Sequence, residues 1–198
     1  MKNYKKNLKL LSKNHIYSNE MEHDSCGVGL ITSTEGKKSR LVVEYGIDAL
    51  KAVWHRGAVD ADGKTGDGAG IHLEIPKDFF IEKIEVTGHD YDNSEICVGM
   101  IFLPRNDYSS QENCKTIVES ELTKNDFSIY GWRQVPVNPK VLGEKAFQTM
   151  PEIIQVLFKS NNSNLLEKEL ERKIYETRKK IENKALNLSL NNFYICSI

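Results

Sequence analysis

Apolar runs along this chain come in neighbouring groups, without the regular strand–helix–strand rhythm that a parallel sheet requires. Residues 96–103 form a continuous apolar run stopped by Pro104, and residues 127–137 read as another strand, closed by Pro136 and Pro139. Residues 152–158 and 193–198 read as two more strands. Nearer the start, residues 27–33 read as a first strand closed by Thr34-Glu35-Gly36-Lys37, and residues 71–75 alternate apolar and polar as a half-buried strand does. Strands that follow one another in this way pair as antiparallel neighbours. The predicted fold class is therefore α+β, with mainly antiparallel sheet and helices layered on it, not a doubly wound parallel sheet.

Helical periods fill the gaps. Ser39 is placed to cap a helix in which Val43, Ile47, Leu50 and Trp54 share one face, and Gly57 is placed to end it after His55-Arg56. Pro76 suits the first position of a short helix through Phe79 and Phe80. Residues 109–124 read as helical through Ile117, Val118 and Leu122. Asn164, with Glu167 three residues on, signals the start of a long helix. Its buried stripe is predicted as Leu166, Leu170, Ile174, Thr177, Ile181 and Ala185, with Glu169–Lys173 and Glu176–Lys180 as ion pairs on the exposed sides.

At 198 residues the chain can bury a core of its own. A net charge of −1 provides no basic field for nucleic acid or an anionic membrane. No apolar stretch approaches the ~20 residues that span a bilayer. The first 25 residues are polar and lysine-rich (Lys2, Lys5, Lys6, Lys9, Lys13) and lack the apolar centre of a secretion signal. Four cysteines (Cys26, Cys97, Cys114, Cys196) without a CxxC spacing point to a reducing compartment, with the cytoplasm as the default. The chain stops inside an apolar strand, so it is expected to be cut from something longer.

Cys26 opens Cys26-Gly27-Val28-Gly29-Leu30-Ile31, directly behind the polar leader. If residues 1–25 are removed, that thiol gains its own α-amine as a base. A free thiol titrates near ~8.5 and an α-amine near ~7.7–8.0, so some amine is free to take the proton at neutral pH. A small buried hydrophobe is the commoner role for a cysteine, and the short motif alone favours that role. The run Thr65-Gly66-Asp67-Gly68-Ala69-Gly70 is not a phosphate cradle. It lacks Gly-Lys-Ser/Thr, has Ile71 where a dinucleotide fingerprint needs Gly or Ala, and leads into a strand instead of a helix. It reads as a tightly turning structural loop. His55-Arg56 reads as complementation of a helix end, and His23 with Cys26 is too little for a metal site.

Taken together, residues 22–31 (EHDSCGVGLI), 44–58 (EYGIDALKAVWHRGA) and 59–76 (VDADGKTGDGAGIHLEIP) resemble the opening of glutamate synthase large subunits, most closely the bacterial NADPH-dependent type. Residues 171–182 (ERKIYETRKKIE) and 193–198 (FYICSI) continue the resemblance in order. It implies a class II glutamine amidotransferase domain of the N-terminal-nucleophile fold, a four-layer αββα sandwich, incomplete in these residues. Residues 1–25 would be a propeptide and residues 26–198 the first part of that domain, with Cys26 as the catalytic nucleophile.

The implied substrate is L-glutamine, cleaved to glutamate and ammonia. The ammonia would aminate 2-oxoglutarate elsewhere in the parent protein, with FMN, an iron–sulfur cluster and NADPH; no cofactor or metal is expected in this segment. The implied partners are the remainder of the large subunit and a small (beta) subunit. Family members stabilise the oxyanion with an Asn-Gly pair and bind glutamine with Arg and Asp residues beyond position 198. No Asn-Gly dipeptide occurs in this chain, so these residues alone are expected to be inactive and poorly folded. The alternatives are another class II amidotransferase, making a purine precursor or an amino sugar, or a non-catalytic fragment.

Overall fold

The computed structural model describes residues 27–53 and 57–198, together with Lys6, Asn7, Lys9, Leu10 and Lys13. The chain divides into two compact units, one of Met1–Gly57 with Ala69–Ile71, the other of Ala58–Gly68 with His72–Ile198.

The first unit contains helix α1 (Arg40–Ala52), whose N-cap Ser39 accepts the Leu41 N–H at 3.2 Å, as the sequence predicts. The helix ends at Ala52, before the predicted stop at Gly57, and Trp54, His55 and Arg56 lie outside the described residues. Val43, Ile47 and Leu50 are half-buried. Gly46 is where α1 meets the glycine-rich segment: a Cβ there would stand 3.1 Å from Ile71 Cδ1.

The predicted strand at 27–33 does not form: these residues are extended but have no ladder partner among the described residues, and Val28 is 95% and Leu30 86% exposed. An apolar run is only half of a strand's requirement; the other half is a neighbour for its N–H and C=O groups. Residues 71–75, split between the units, likewise form no ladder.

In the second unit, helix α2 (Lys77–Val86) begins one residue later than the sequence predicts, with Pro76 as its N-cap. Then come strand β1 (Cys97–Leu103), helix α3 (Tyr108–Lys124), strand β2 (Phe127–Gln134), a 3₁₀ turn (Pro139–Val141), the short helix α4 (Glu144–Thr149), strand β3 (Glu152–Ser160), helix α5 (Glu167–Asn187) and strand β4 (Tyr194–Ser197). The sheet order is β2-β3-β1-β4 and every pairing is antiparallel, as predicted. β1 runs against β3 in unbroken register from Cys97↔Phe158 to Leu103↔Glu152. The β2–β3 ladder shifts between Ile129 and Gly131.

The period of two sorts the strand side chains onto two faces. On one face Ile101, Leu103, Ile154, Val156 and Phe158 pack with Cys114, Ile117, Val118 and Leu122 of α3 and with Leu170, Ile174 and Ile181 of α5. Phe127 and Phe158 meet edge to face, 5.3 Å between centroids. On the other face Leu157 and Tyr130 pack with Phe80 and Ile84 of α2 and with Ile96.

Asp107 caps α3, its carboxylate accepting the Ser110 N–H at 3.0 Å and the Ser110 hydroxyl at 2.6 Å. α5 starts two residues beyond the expected cap, where Glu169 accepts the Leu166 N–H at 3.0 Å. The predicted stripe is buried from Leu170 to Ala185, but Leu166, outside the helix, is exposed. The surface pairs differ from the expected ones: Arg172–Glu176 and Arg178–Glu182 form along the helix, while Lys173 reaches Asp126 and Lys180 reaches the Asn125 side chain.

Candidate active site

A thiol nucleophile must be able to ionise, since the thiolate is the attacking species. Cys26, the predicted nucleophile, lies outside the described residues. Of the other three cysteines, Cys97 on β1 is buried, and desolvation, aided by the Glu95 and Glu171 carboxylates, pushes its pKa up to about 12. Cys114 on α3 is completely buried and pushed up to about 11, again chiefly by burial. Both thiols serve as core hydrophobes. Cys196 is exposed on β4, which lies at the edge of the sheet. Among the described residues, a Cβ on Gly27 or Gly29 would meet nothing within 4 Å.

Residues 58–66, which include the start of the glycine-rich run, form a small hairpin in the second unit. Val59 and Gly66 form an isolated antiparallel bridge, Asp60 N–H donates to the Thr65 carbonyl at 2.7 Å, and Gly63 N–H donates to the Asp60 carbonyl at 2.9 Å. None of Gly66, Gly68 and Gly70, the glycines read as serving a tight turn, takes a positive φ; Gly63 just ahead of them does, at +69°. Gly66 is needed for a different reason: a Cβ there would come 2.9 Å from the Ala58 carbonyl oxygen. The Asp67 carboxylate closes the hairpin by accepting the Ala58 N–H at 2.8 Å.

Asp62 organises the turn. Its carboxylate accepts the N–H of Lys64 at 2.9 Å and of Thr65 at 2.7 Å, and the Thr65 hydroxyl at 2.5 Å. These bonds, the Thr65 hydroxyl foremost, hold the Asp62 pKa far below the usual carboxylate range. Lys145 on α4 reaches Asp60 at 2.5 Å. This cluster was missed in the sequence, although an Asp followed two and three residues later by N–H groups it can accept is a recognised turn pattern. Among the described residues no group of three or more His, Cys, Asp or Glu side chains is arranged to hold a metal ion.

Residues 26–198 match the family model of the class II glutamine amidotransferases, a match that begins at the cysteine singled out above. The chain belongs to that family, whose domain has the N-terminal-nucleophile hydrolase fold. Within it, the relatives are glutamate synthases. Over 195 residues, 98% of its length, the chain is 48% identical to the N-terminal region of the NADPH glutamate synthase large chain of Azospirillum brasilense. It is 36% identical over 195 residues to the ferredoxin-dependent glutamate synthase of Pyropia yezoensis, and 37% identical over 179 residues to ferredoxin-dependent glutamate synthase 1 of Arabidopsis thaliana, a chloroplastic and mitochondrial protein. It covers 96% and 89% of itself in those two matches, but only 13%, 12% and 11% of the three relatives.

Proposed function

We propose that this chain supplies the glutaminase part of a glutamate synthase large chain of the NADPH-dependent type, with residues 1–25 as a removable propeptide and residues 26–198 as amidotransferase domain. Cys26 is its nucleophile. The observation that carries this reading is the position of the family match, which opens at Cys26. The high pKa values of Cys97 and Cys114 support it by removing two competitors.

Once Cys26 is N-terminal, its free α-amine takes the thiol proton, directly or through a water. The thiolate adds to the carboxamide carbon of L-glutamine, and the nitrogen leaves as ammonia after accepting the proton held on the amine. The remaining γ-glutamyl thioester is hydrolysed by water, which regenerates the thiol and releases glutamate.

Ammonia is then consumed in the remainder of the large chain, where the family's chemistry calls for FMN, an iron–sulfur cluster and NADPH to aminate 2-oxoglutarate, alongside a small (beta) subunit. The described residues do not fit the cluster: Cys97 and Cys114 are enclosed in a hydrophobic core and no metal-ligand group accompanies them. Those groups belong to other parts of the parent protein. The cytoplasm is the compartment we assign, supported by the unpaired thiols; no described helix is long and apolar enough to cross a membrane.

The test uses the full-length parent enzyme. Cys26→Ala should abolish glutamine-dependent synthesis and spare ammonia-dependent synthesis, and an electrophilic diazo-ketone mimic of glutamine should label Cys26. Mass spectrometry should find Cys26 as the first residue. Full activity in a chain that still carries Met1 or Lys2 would end the self-base mechanism.

A further inference from the structure

Gly143 precedes α4 with φ −71°, a conformation open to any residue, so its lack of a side chain answers to space and not to backbone strain. A Cβ at this position would collide with the Thr65 hydroxyl, the Asp62 carboxylate and the Thr65 amide nitrogen, three members of one hydrogen-bond network nearly eighty residues away in sequence. The backbone amide of Glu144, the first residue of α4, lies close enough to help lower the Asp62 pKa. One residue further on, Lys145 pairs with Asp60. Neither segment has a core of its own: α4 buries no residue, and Val59 in the hairpin is 59% exposed.

We infer that the hairpin 58–66 and α4 form a single latch, closed by the Asp62 carboxylate against the side-chain-free face of Gly143, so that the two segments become ordered and are released together. The latch does not depend on the role of Cys26, so the two readings stand or fall separately.

The groups facing Asp62 are Lys64 and Thr65 from the hairpin and the Glu144 backbone amide from α4, while Lys145 of α4 faces Asp60. A carboxylate stabilised in its charged form holds at every pH above the ordinary aspartate value of ~3.9. It lets go only as pH falls through its lower folded value.

Hydrogen–deuterium exchange on the full-length parent chain tests this directly. Gly143→Ala should raise exchange in the peptide over 58–66 by about tenfold or more, the scale of losing a charge-assisted hydrogen bond. Asp62→Ala should do the same over 143–149, with β3 amides unchanged in both. If Gly143→Ala prevents folding, Asp62→Asn and Lys145→Met provide the same reading with no added bulk. Loosening confined to the mutated segment would overturn the latch, and so would a joint rise in intrinsic-rate-corrected exchange between pH 7 and pH 5.

Discussion

Gly99 on β1 lies so close to Val156 on β3 that a methyl built on its Cα would stand 2.7 Å from Val156 Cγ1, with Ile198 Cγ1 at 3.4 Å. The two residues are register partners at the centre of the sheet, and the empty space above Gly99 is filled by its neighbours' side chains. Gly99→Ala must therefore push Val156 out of place despite alanine's better strand propensity. The expected cost is about 1–3 kcal/mol, the range for overpacking a core, read from urea unfolding of the full-length chain. Pairing it with Val156→Ala should recover part of the loss.

Thiol accessibility is the second expectation. With their pKa values pushed up to about 11 and about 12 by burial, Cys114 and Cys97 should resist alkylation by iodoacetamide at pH 8 until the chain unfolds. Cys196, exposed among the described residues, should react before either of them. Peptide mapping with and without denaturant distinguishes them, and rapid native labelling of Cys97 would contradict the packing described here.

Glu121 gives the fold a pH dependence of defined sign. Its carboxylate on α3 accepts Lys184 of α5 at 2.9 Å and Lys124 at 3.5 Å, and its pKa is lowered, chiefly by the Lys184 bond. A lowered folded pKa contributes stability above the unfolded glutamate value of ~4.3 and loses it as pH falls through the folded value. Glu121→Gln should therefore cost about 1 kcal/mol at pH 7. The gap from the parent should close as the solution is acidified below pH 4. A constant gap would mean the carboxylate's charge plays no part.

The α5 interface is tested by Ile181→Ala. Ile181 is completely buried against the α3 side of the sheet, and truncating it leaves a cavity that the helices can only partly close. A loss of about 2–5 kcal/mol is expected. Tyr175→Ala on the exposed side of the same helix should fall within about ±0.5 kcal/mol.

What could be read beforehand divides along physical lines. α3, α5, β1 and β3 were legible because a helix's apolar stripe and a proline-bounded apolar run are local signals. The runs at 27–33 and 71–75 looked equally strand-like, but a strand is a property of two segments, and neither finds a partner among the described residues. The α5 ion pairs were misassigned because Lys173 and Lys180 turn toward the α3–β2 connection and not along their own helix. At the candidate site, Cys26 is singled out by the combined resemblance of residues 22–31, 44–58 and 59–76, not by its own short motif, and it lies outside the described residues. The Asp62 cluster was not legible, since it also draws on Gly143 and Lys145 at the start of α4, a helix with too few apolar residues to announce itself.

Arg178 gives the outermost strand its alignment. Its guanidinium donates to the Ile195 carbonyl at 2.8 Å while Glu182 holds it from the other side at 2.7 Å. The β1–β4 pairing itself is irregular, shifting between Met100 and Ile101. A slip of a single residue would turn Ile195 from the interior to the water. Strand placement here is thus delegated in part to a helix: the register of β4 is tied to the seating of α5, so a helix that shifts would carry the strand's alignment with it.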